Sequence, residues 1–106
     1  MPLANTFSAL ADPTRRAILE HLAQGEQPVG ALLRRFDISG PAISRHLKIL
    51  EAAKLIENRR VGKGRMCRLN EGSLTAARDW MDFQARFWGR SFDRLEKFIA
   101  ERDENE

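Results

Sequence analysis

The stretch "DISGPAISRHLKILEAAKLIENRRVGKGRMCRL", Asp37 to Leu69, changes its apolar periodicity part of the way along. In its first half, three apolar residues recur at positions i, i+4 and i+7 of one helix face: Ile43, Leu47 and Leu50. Ser39 is suited to cap this helix, and Pro41 falls in the first turn, where its missing N–H costs no hydrogen bond. The first half therefore predicts a helix from Gly40 that buries a single stripe.

The second half of the stretch predicts a β-hairpin. Beyond Leu55 come two short runs, "LIENRRV" and "RMCRL", on either side of two glycines. Gly62 and Gly64 are able to supply the positive φ angles that a tight hairpin requires. We therefore predict two strands between Leu55 and Leu69, with the tip at residues 61–64.

The residues before this stretch predict three helices. The first covers Ala4–Leu10. The second has strong boundaries, with Asp12 as its N-cap, Pro13 at its first position and Gly25 as its stop. The third lies in "PVGALLRRFD" and leads into a turn at residues 36–39. The chain thus contains a helix, a turn, a second helix and a hairpin, in that order.

Positive charge is concentrated in the same part of the chain. Between Arg34 and Arg68 there are ten Lys/Arg against three Asp/Glu, a local balance of +7, whereas the total is +3 and the remaining residues carry −4. A basic surface beside acidic flanks is the electrostatic signature of a nucleic-acid interface. The simpler alternative is a solvated basic face without a partner.

Together these features predict a mainly α winged helix-turn-helix fold in one domain, residues 1–106. Its second helix would enter the major groove of DNA, which is wide enough to admit a helix. The predicted DNA-binding residues lie on the outer face of that helix and on the hairpin: Ser39, Gly40, Ala42, Ser44, Arg45, His46, Lys48, Arg59, Arg60, Lys63 and Arg65. His46 has two interpretations, a phosphate contact or a half-buried residue that packs beneath the helix.

The end of the chain predicts a long helix over residues 73–101, with Ser73 as its cap. Both Trp and four of the six Phe lie in it, more apolar surface than one stripe of a small monomer can bury. A second copy of the chain is the simplest cover, so we predict a homodimer. The expected interface residues share the apolar face: Trp80, Met81, Phe87, Trp88, Phe92 and Leu95. Gly89 predicts a close helix crossing or a bend.

Composition narrows the class of protein further. A hydrophobic fraction of 42% and a charged fraction of 31% are typical of a folded globular chain. No apolar run approaches the ~18 residues that span a membrane, and the first residues lack the features of a signal peptide. A cytoplasmic location without membrane contact is therefore expected.

Three segments resemble the ArsR/SmtB family of winged-helix repressors: "SALADPTRRAILEHLAQGE", "ISGPAISRHLKILEAAKLI" and "RVGKGRMCRLNEGSL". The terminal "DWMDFQARFW" is similar to the metal-independent branch of that family. The resemblance implies a homodimer that binds a palindromic operator and blocks transcription. Relatives usually have Gly where this chain has Lys54, so a left-handed backbone is expected there.

Metal-dependent and enzymatic chemistry find little support in the sequence. Metal sensors of this family use Cys pairs or Asp/His sets, whereas Cys67 is the only cysteine and His21 and His46 the only histidines. We therefore expect no metal, no cofactor and no catalysis. Cys67 is either a packed residue or a thiol switch, and the first is favoured. The alternative function is a helical protein–protein module whose basic patch binds an acidic partner.

Overall fold

The computed structural model describes residues 3–104, over which the chain forms five helices and three strands. The helices are α1 (Leu3–Leu10), α2 (Pro13–Leu22), α3 (Val29–Arg35), α4 (Gly40–Ala52) and α5 (Glu71–Glu104), and the strands are β1 (Gln27–Pro28), β2 (Ile56–Val61) and β3 (Gly64–Leu69). The predicted winged helix-turn-helix fold is confirmed, with α3 and α4 as the helix pair and β2–β3 as the wing. The chain divides into two compact units, and the boundary between them lies inside α5, between Ala76 and Ala77.

The first unit is built around one hydrophobic core. Helices α1 to α4 and the sheet all contribute buried side chains to it, among them Ile18, Leu32, Ile43, Leu50, Leu55 and Ile56. Each such Leu or Ile contributes roughly 1.5–3 kcal/mol when it leaves water. The predicted inner stripe of α4 is part of this core, because none of its three members is more than 4% exposed.

The joint between α1 and α2 is made by two arginines of α2. As predicted, α2 starts at Pro13 with Asp12 as its N-cap, whose Oδ1 accepts from the backbone N–H of Arg15 at 3.0 Å. The Arg15 guanidinium donates to the carbonyl oxygens of Ala9 (2.7 Å) and Ser8 (3.1 Å), and Arg16 donates to Leu10 (2.9 Å). The last carbonyls of a helix lack intrahelical partners, so these cations cap α1.

Helix α4 is held at both ends. At its start, the Ser39 hydroxyl oxygen accepts from the N–H of Ala42 at 3.2 Å. At its end, the N–H of Lys54 donates to the Glu51 carbonyl at 2.9 Å and that of Leu55 to the Leu50 carbonyl at 3.0 Å. These bonds form a Schellman motif, in which Lys54 is left-handed with φ of 59°, as expected.

The sheet has three strands in the order β1-β3-β2, so the prediction of a two-stranded wing was incomplete. Strand β1 pairs antiparallel with β3, with Gln27 opposite Cys67 and Pro28 opposite Met66. Two residues are too few to show an alternating pattern, and Pro28 lacks an N–H, which suits it only to an edge strand. At the hairpin tip Gly62 has φ of 61°, whereas Gly64 lies outside the positive-φ region, contrary to the prediction.

Helix α5 starts earlier and continues further than residues 73–101. Asn70 precedes the helix, and its Oδ1 accepts from the N–H of Gly72 at 3.2 Å. The predicted cap, Ser73, instead lies within the first turn, where it is 4% exposed and its hydroxyl donates to the Ala53 carbonyl at 3.4 Å. Asn and Ser are both good cap residues, so the sequence pattern did not distinguish them. The helix is continuous through Gly89.

The left-handed Lys54 gives a stability prediction. A residue with a Cβ is strained in this conformation by about 1–2 kcal/mol, whereas glycine is not. After allowance for the greater freedom of glycine in the unfolded chain, Lys54→Gly should raise the free energy of unfolding by about 0.5–1 kcal/mol relative to Lys54→Ala. Urea denaturation of the two variants measures this difference. Equal stability of the two would contradict a strained Lys54.

Candidate nucleic-acid interface

The outer face of α4 is polar and exposed along its first three turns. Its inner stripe is buried in the core, so the opposite side of the helix faces solvent. Exposed there are Ser44, Arg45 and Lys48, with Gly40 at the N-terminal end. A Cβ added at Gly40 would meet no atom within 4 Å, so the start of the helix is open. This face has the width and chemistry of a helix that reads a DNA groove.

The alternation of side chains in the wing separates its cations into two groups. Residues opposite each other in an antiparallel pair share a face, and successive residues point to opposite faces. Arg60 pairs with Arg65, two residues along from the pair between Asn58 and the buried Cys67. Arg60 and Arg65 therefore extend the face of the sheet that covers the core. Within residues 3–104 neither makes a salt bridge.

The other face of the sheet carries charges that neutralise one another. Arg59 Nη2 lies 2.8 Å from Glu26 Oε1, and Arg68 Nη2 lies 2.6 Å from Glu57 Oε2. The hydrogen bond to Glu57 raises the pKa of Arg68 further above its usual range. Arg59, one of the predicted DNA contacts, thus lies on the opposite face of the sheet from Arg60 and Arg65. There it is paired with Glu26. Sequence could not show this pairing, because Glu26 precedes the unpredicted strand β1.

A groove of about 390 Å³ lies between α4 and the wing. It brings together predicted DNA-binding residues from both elements, Ser44 and Lys48 of α4 with Arg65 of β3. Asn58 also lines it, and its Oδ1 is buried without a hydrogen-bond partner among the described residues. The helix and the hairpin therefore form one continuous surface, which is basic on balance because Lys48 and Arg65 line the groove with one carboxylate, Glu51. Lys63 adds a further exposed cation at the hairpin tip, between Gly62 and Gly64.

His46 lies on the side of α4 that faces α2. Its Nδ1 is 3.3 Å from Arg15 Nη1 and 4.0 Å from Asp12 Oδ1, and its side chain is 18% exposed. Of the two interpretations of His46, a phosphate contact or a half-buried residue, the structure shows the half-buried position. The backbone N–H of Arg15, which donates to the carboxylate, holds the pKa of Asp12 below its usual value. Arg15 is not among the residues whose role the sequence predicted.

Cys67 is a packed residue on the inner face of β3. It is 0% exposed, and burial, together with the carboxylates of Glu51 and Glu26, raises the pKa of its thiol to about 11. A reactive cysteine needs the opposite, an exposed site with cations that stabilise the thiolate.

Among the described residues, no group of three or more His, Cys, Asp or Glu side chains is arranged to hold a metal ion.

The part of α5 that belongs to the second unit carries an exposed apolar face. Trp80, Met81, Phe87, Trp88, Phe92 and Leu95 are each 44–62% exposed. At about 100° per residue they lie within an arc of roughly 140°, with Phe83 about 40° beyond its edge. The rings of Phe87 and Trp88 meet edge to face, with centroids 5.5 Å apart. No helix within residues 3–104 is long and apolar enough to cross a membrane.

Comparisons with known proteins agree on one family. Residues 10–59 match the family described as "Helix-turn-helix domain". The chain is 46% identical over 93 residues to an HTH-type transcriptional regulator of Mycobacterium tuberculosis, with 88% of this chain and 84% of that protein covered. It is 42% identical over 77 residues to the transcriptional repressor SdpR of Bacillus subtilis, with 73% of this chain and 86% of that protein covered.

Solved structures give the same result. The crystal structure of an ArsR family transcriptional regulator is similar with a TM-score of 0.77 and 36% identity, covering 82% of this chain and 90% of that one. The solution structure of a homodimeric winged helix-turn-helix DNA-binding domain from Mycobacterium bovis, a possible ArsR-family regulator, has a TM-score of 0.63 and 29% identity, covering 79% of this chain and 80% of that one.

The helix pair, the wing and the basic surface that joins them define a winged helix-turn-helix DNA-binding protein. Sequence identity over most of the length of its relatives identifies the family. The chain belongs to the ArsR family of helix-turn-helix transcriptional repressors, which are regulators and not enzymes.

The two faces of the wing allow a matched test of phosphate contacts. Arg60→Ala and Arg65→Ala should each weaken binding to any DNA duplex and lower the slope of log K against log salt by about one per protomer. Arg68→Ala removes the same charge from the paired, opposite face and should leave the slope unchanged. Fluorescence anisotropy titrations at several salt concentrations measure both. An equal effect of all three variants would contradict the assignment of faces.

Proposed function

We propose that this chain acts as a homodimer that binds a two-fold symmetric operator and represses transcription by occupying it. The observation that carries the proposal is the continuous basic surface formed by the outer face of α4 and the inner face of the wing. It places Ser44, Lys48 and Arg65 around one groove. An arrangement of this kind lets one element read bases while the other holds the backbone.

Within this surface we assign base contacts to the middle of α4. Arg45 is exposed there and has the bidentate donors that suit a guanine edge, and Ser44 beside it can donate or accept. Ala42 is small enough to meet a thymine methyl group. Ser44 and Arg45 lie on the side of the helix that the core leaves uncovered, and Ala42 is half-buried at its edge beside α2. They would enter the major groove together.

Phosphate contacts are assigned to the cations on either side of those residues. Lys48 lies one turn further along α4, and Arg60, Lys63 and Arg65 are exposed on the wing. Ser39 and Gly40 lie at the start of α4, where its free N–H groups also suit a phosphate. These contacts would supply affinity and the salt dependence of binding without selecting a sequence.

The homodimer is supported by the exposed apolar face of α5. Monomeric soluble proteins rarely expose so many large apolar side chains along one helix. A two-fold axis through this face would let each copy cover the other. The homodimeric state of the similar Mycobacterium bovis domain supports the same assembly. A symmetric joint would also present two α4 helices at the spacing of about 34 Å that successive major grooves require.

We also propose that DNA binding does not depend on a metal held by this chain. The family's cysteine-based sensing would require at least two converging thiolates. Cys67 is the only cysteine, and its buried thiol has a pKa raised to about 11, which opposes the thiolate that a metal needs.

Selection of binding fragments from a randomised duplex library by the purified full chain tests the proposal directly. Enrichment of a two-fold symmetric sequence is expected, and a chelator should not alter it. Arg45→Ala should then cost about 1–3 kcal/mol on the selected duplex and relax preference at a few positions, with little change on random DNA. Lys48→Ala should weaken binding to both. Recovery of no preferred sequence, or equal loss on both duplexes for Arg45→Ala, would contradict the assignment.

The dimer has its own test in α5. Each large aromatic buried there should contribute about 2–3 kcal/mol. We expect Trp88→Ala combined with Phe92→Ala to convert a dimer at micromolar concentration into a monomer that no longer binds the selected duplex. Phe83→Ala is the control, because Phe83 is as exposed as Phe92, at 64% against 62%, but lies beyond the edge of the face. Analytical ultracentrifugation decides the outcome, and a monomeric wild-type protein would refute the interface.

A further inference from the structure

We propose that His46 is a positioning residue, which fixes α4 by accepting a hydrogen bond from Arg15, and that DNA binding therefore weakens as the pH falls. The inference rests on the proposed DNA-binding function of α4. The His46 side chain faces away from the outer surface of α4. Arg15 takes part in none of the proposed DNA contacts.

The contact requires a particular form of the imidazole ring. Arg15 Nη1 lies 3.3 Å from His46 Nδ1. A guanidinium has only donors, so a hydrogen bond at this contact requires Nδ1 to accept, with the ring neutral and its proton on Nε2. The same guanidinium is anchored by the carbonyl oxygens of Ala9 and Ser8, at 2.7 and 3.1 Å. Arg15 thus connects α1, α2 and α4 through one planar group.

The charges around His46 oppose one another. From α2, Arg15 presents a positive charge to the ring, and Asp12 presents a carboxylate oxygen 4.0 Å from Nδ1. That oxygen already accepts from the backbone N–H of Arg15. From α4 itself, Arg45 lines the same cleft of about 500 Å³. Helix α1 carries no ionisable side chain and contributes only carbonyl oxygens.

Protonation at Nδ1 would place an N–H group against the donors of Arg15. Arg15 cannot follow the ring, because the carbonyls of α1 hold it. The His46 side chain is 18% exposed, so the protonated ring would have to turn towards the adjoining cleft of about 500 Å³ and give up the contact with Arg15. The hydrogen bond that ties α4 to α2 is then lost beside Ala42 and Arg45, while the core still holds the inner stripe of the helix. Histidine is the side chain whose charge can change near physiological pH, so a lower pH is the condition that removes the acceptor.

The sign of the pH effect separates this role from a phosphate contact. A histidine that touched DNA phosphate would bind more tightly when protonated, with a steeper salt dependence. A histidine that must accept from Arg15 gives the opposite result.

The test uses the full chain and a fluorescein-labelled duplex recovered by the selection described above. From about pH 7.5 to about pH 5.5 the wild-type affinity should fall about three- to tenfold, the size of one typical lost hydrogen bond. His46→Asn keeps an acceptor, since Oδ1 is bonded to Cγ as Nδ1 is, but it does not titrate there. It should bind tightly at both pH values.

Two further variants complete the comparison. His46→Gln places its oxygen one bond further out, so it should bind weakly at both pH values, with unchanged circular dichroism. His21→Gln removes the other histidine and should keep the pH dependence of the wild type. Tighter wild-type binding at the lower pH, or a fall that persists in His46→Asn, would overturn the proposal.

A measurement without DNA separates this inference from the proposed function. In ¹⁵N-labelled protein near pH 7.5, long-range NMR correlations should show the His46 proton on Nε2, and a proton on Nδ1 would rule out the Arg15 contact. A protein that binds no duplex at either pH would refute the proposed function, and the tautomer would still decide whether Arg15 holds the ring.

Discussion

Burial of one apolar stripe on α4 determines the rest of the interface. With Ile43, Leu47 and Leu50 in the core, rotation of the helix about its axis is fixed. A turn of one residue position, about 100°, would carry a charged side chain such as Lys48 towards apolar surroundings, which costs several kcal/mol. The bonds at its two ends fix the residues at which the helix begins and ends. The polar outer face is therefore a consequence of core packing.

The wing depends on a comparable constraint, the register of its strands. Because the buried Cys67 and Ile56 fix which face covers the core, the pairing places Arg60 and Arg65 on the inner side. A slip by one residue would exchange them for Arg59 and Arg68, whose carboxylate partners lie on the outer side. Strand β1 stabilises this register by pairing with β3 from its other edge.

The two units carry different surfaces. Residues up to Ala76 expose cations around a polar helix face, whereas the remainder of α5 exposes aromatic and aliphatic side chains. This division fits a protein in which one part binds DNA and the other brings two copies together. Arg15 adds a connection inside the first unit, because it joins the end of α1 to α2 and, through His46, to α4.

Sequence alone predicted the helix-turn-helix, the hairpin and the basic surface, because caps, apolar periodicity and charge are properties of residues close together in the chain. Ser39, the α4 stripe and the left-handed Lys54 are examples. The pairing of Arg59 with Glu26, the contact of His46 with Arg15 and strand β1 were decided only by the tertiary structure. Each joins residues about 30 to 40 positions apart, and β1 is too short to show a period. Which of two equally charged residues lies on the inner face of the wing is likewise decided by strand register, which depends on packing and not on the residues themselves.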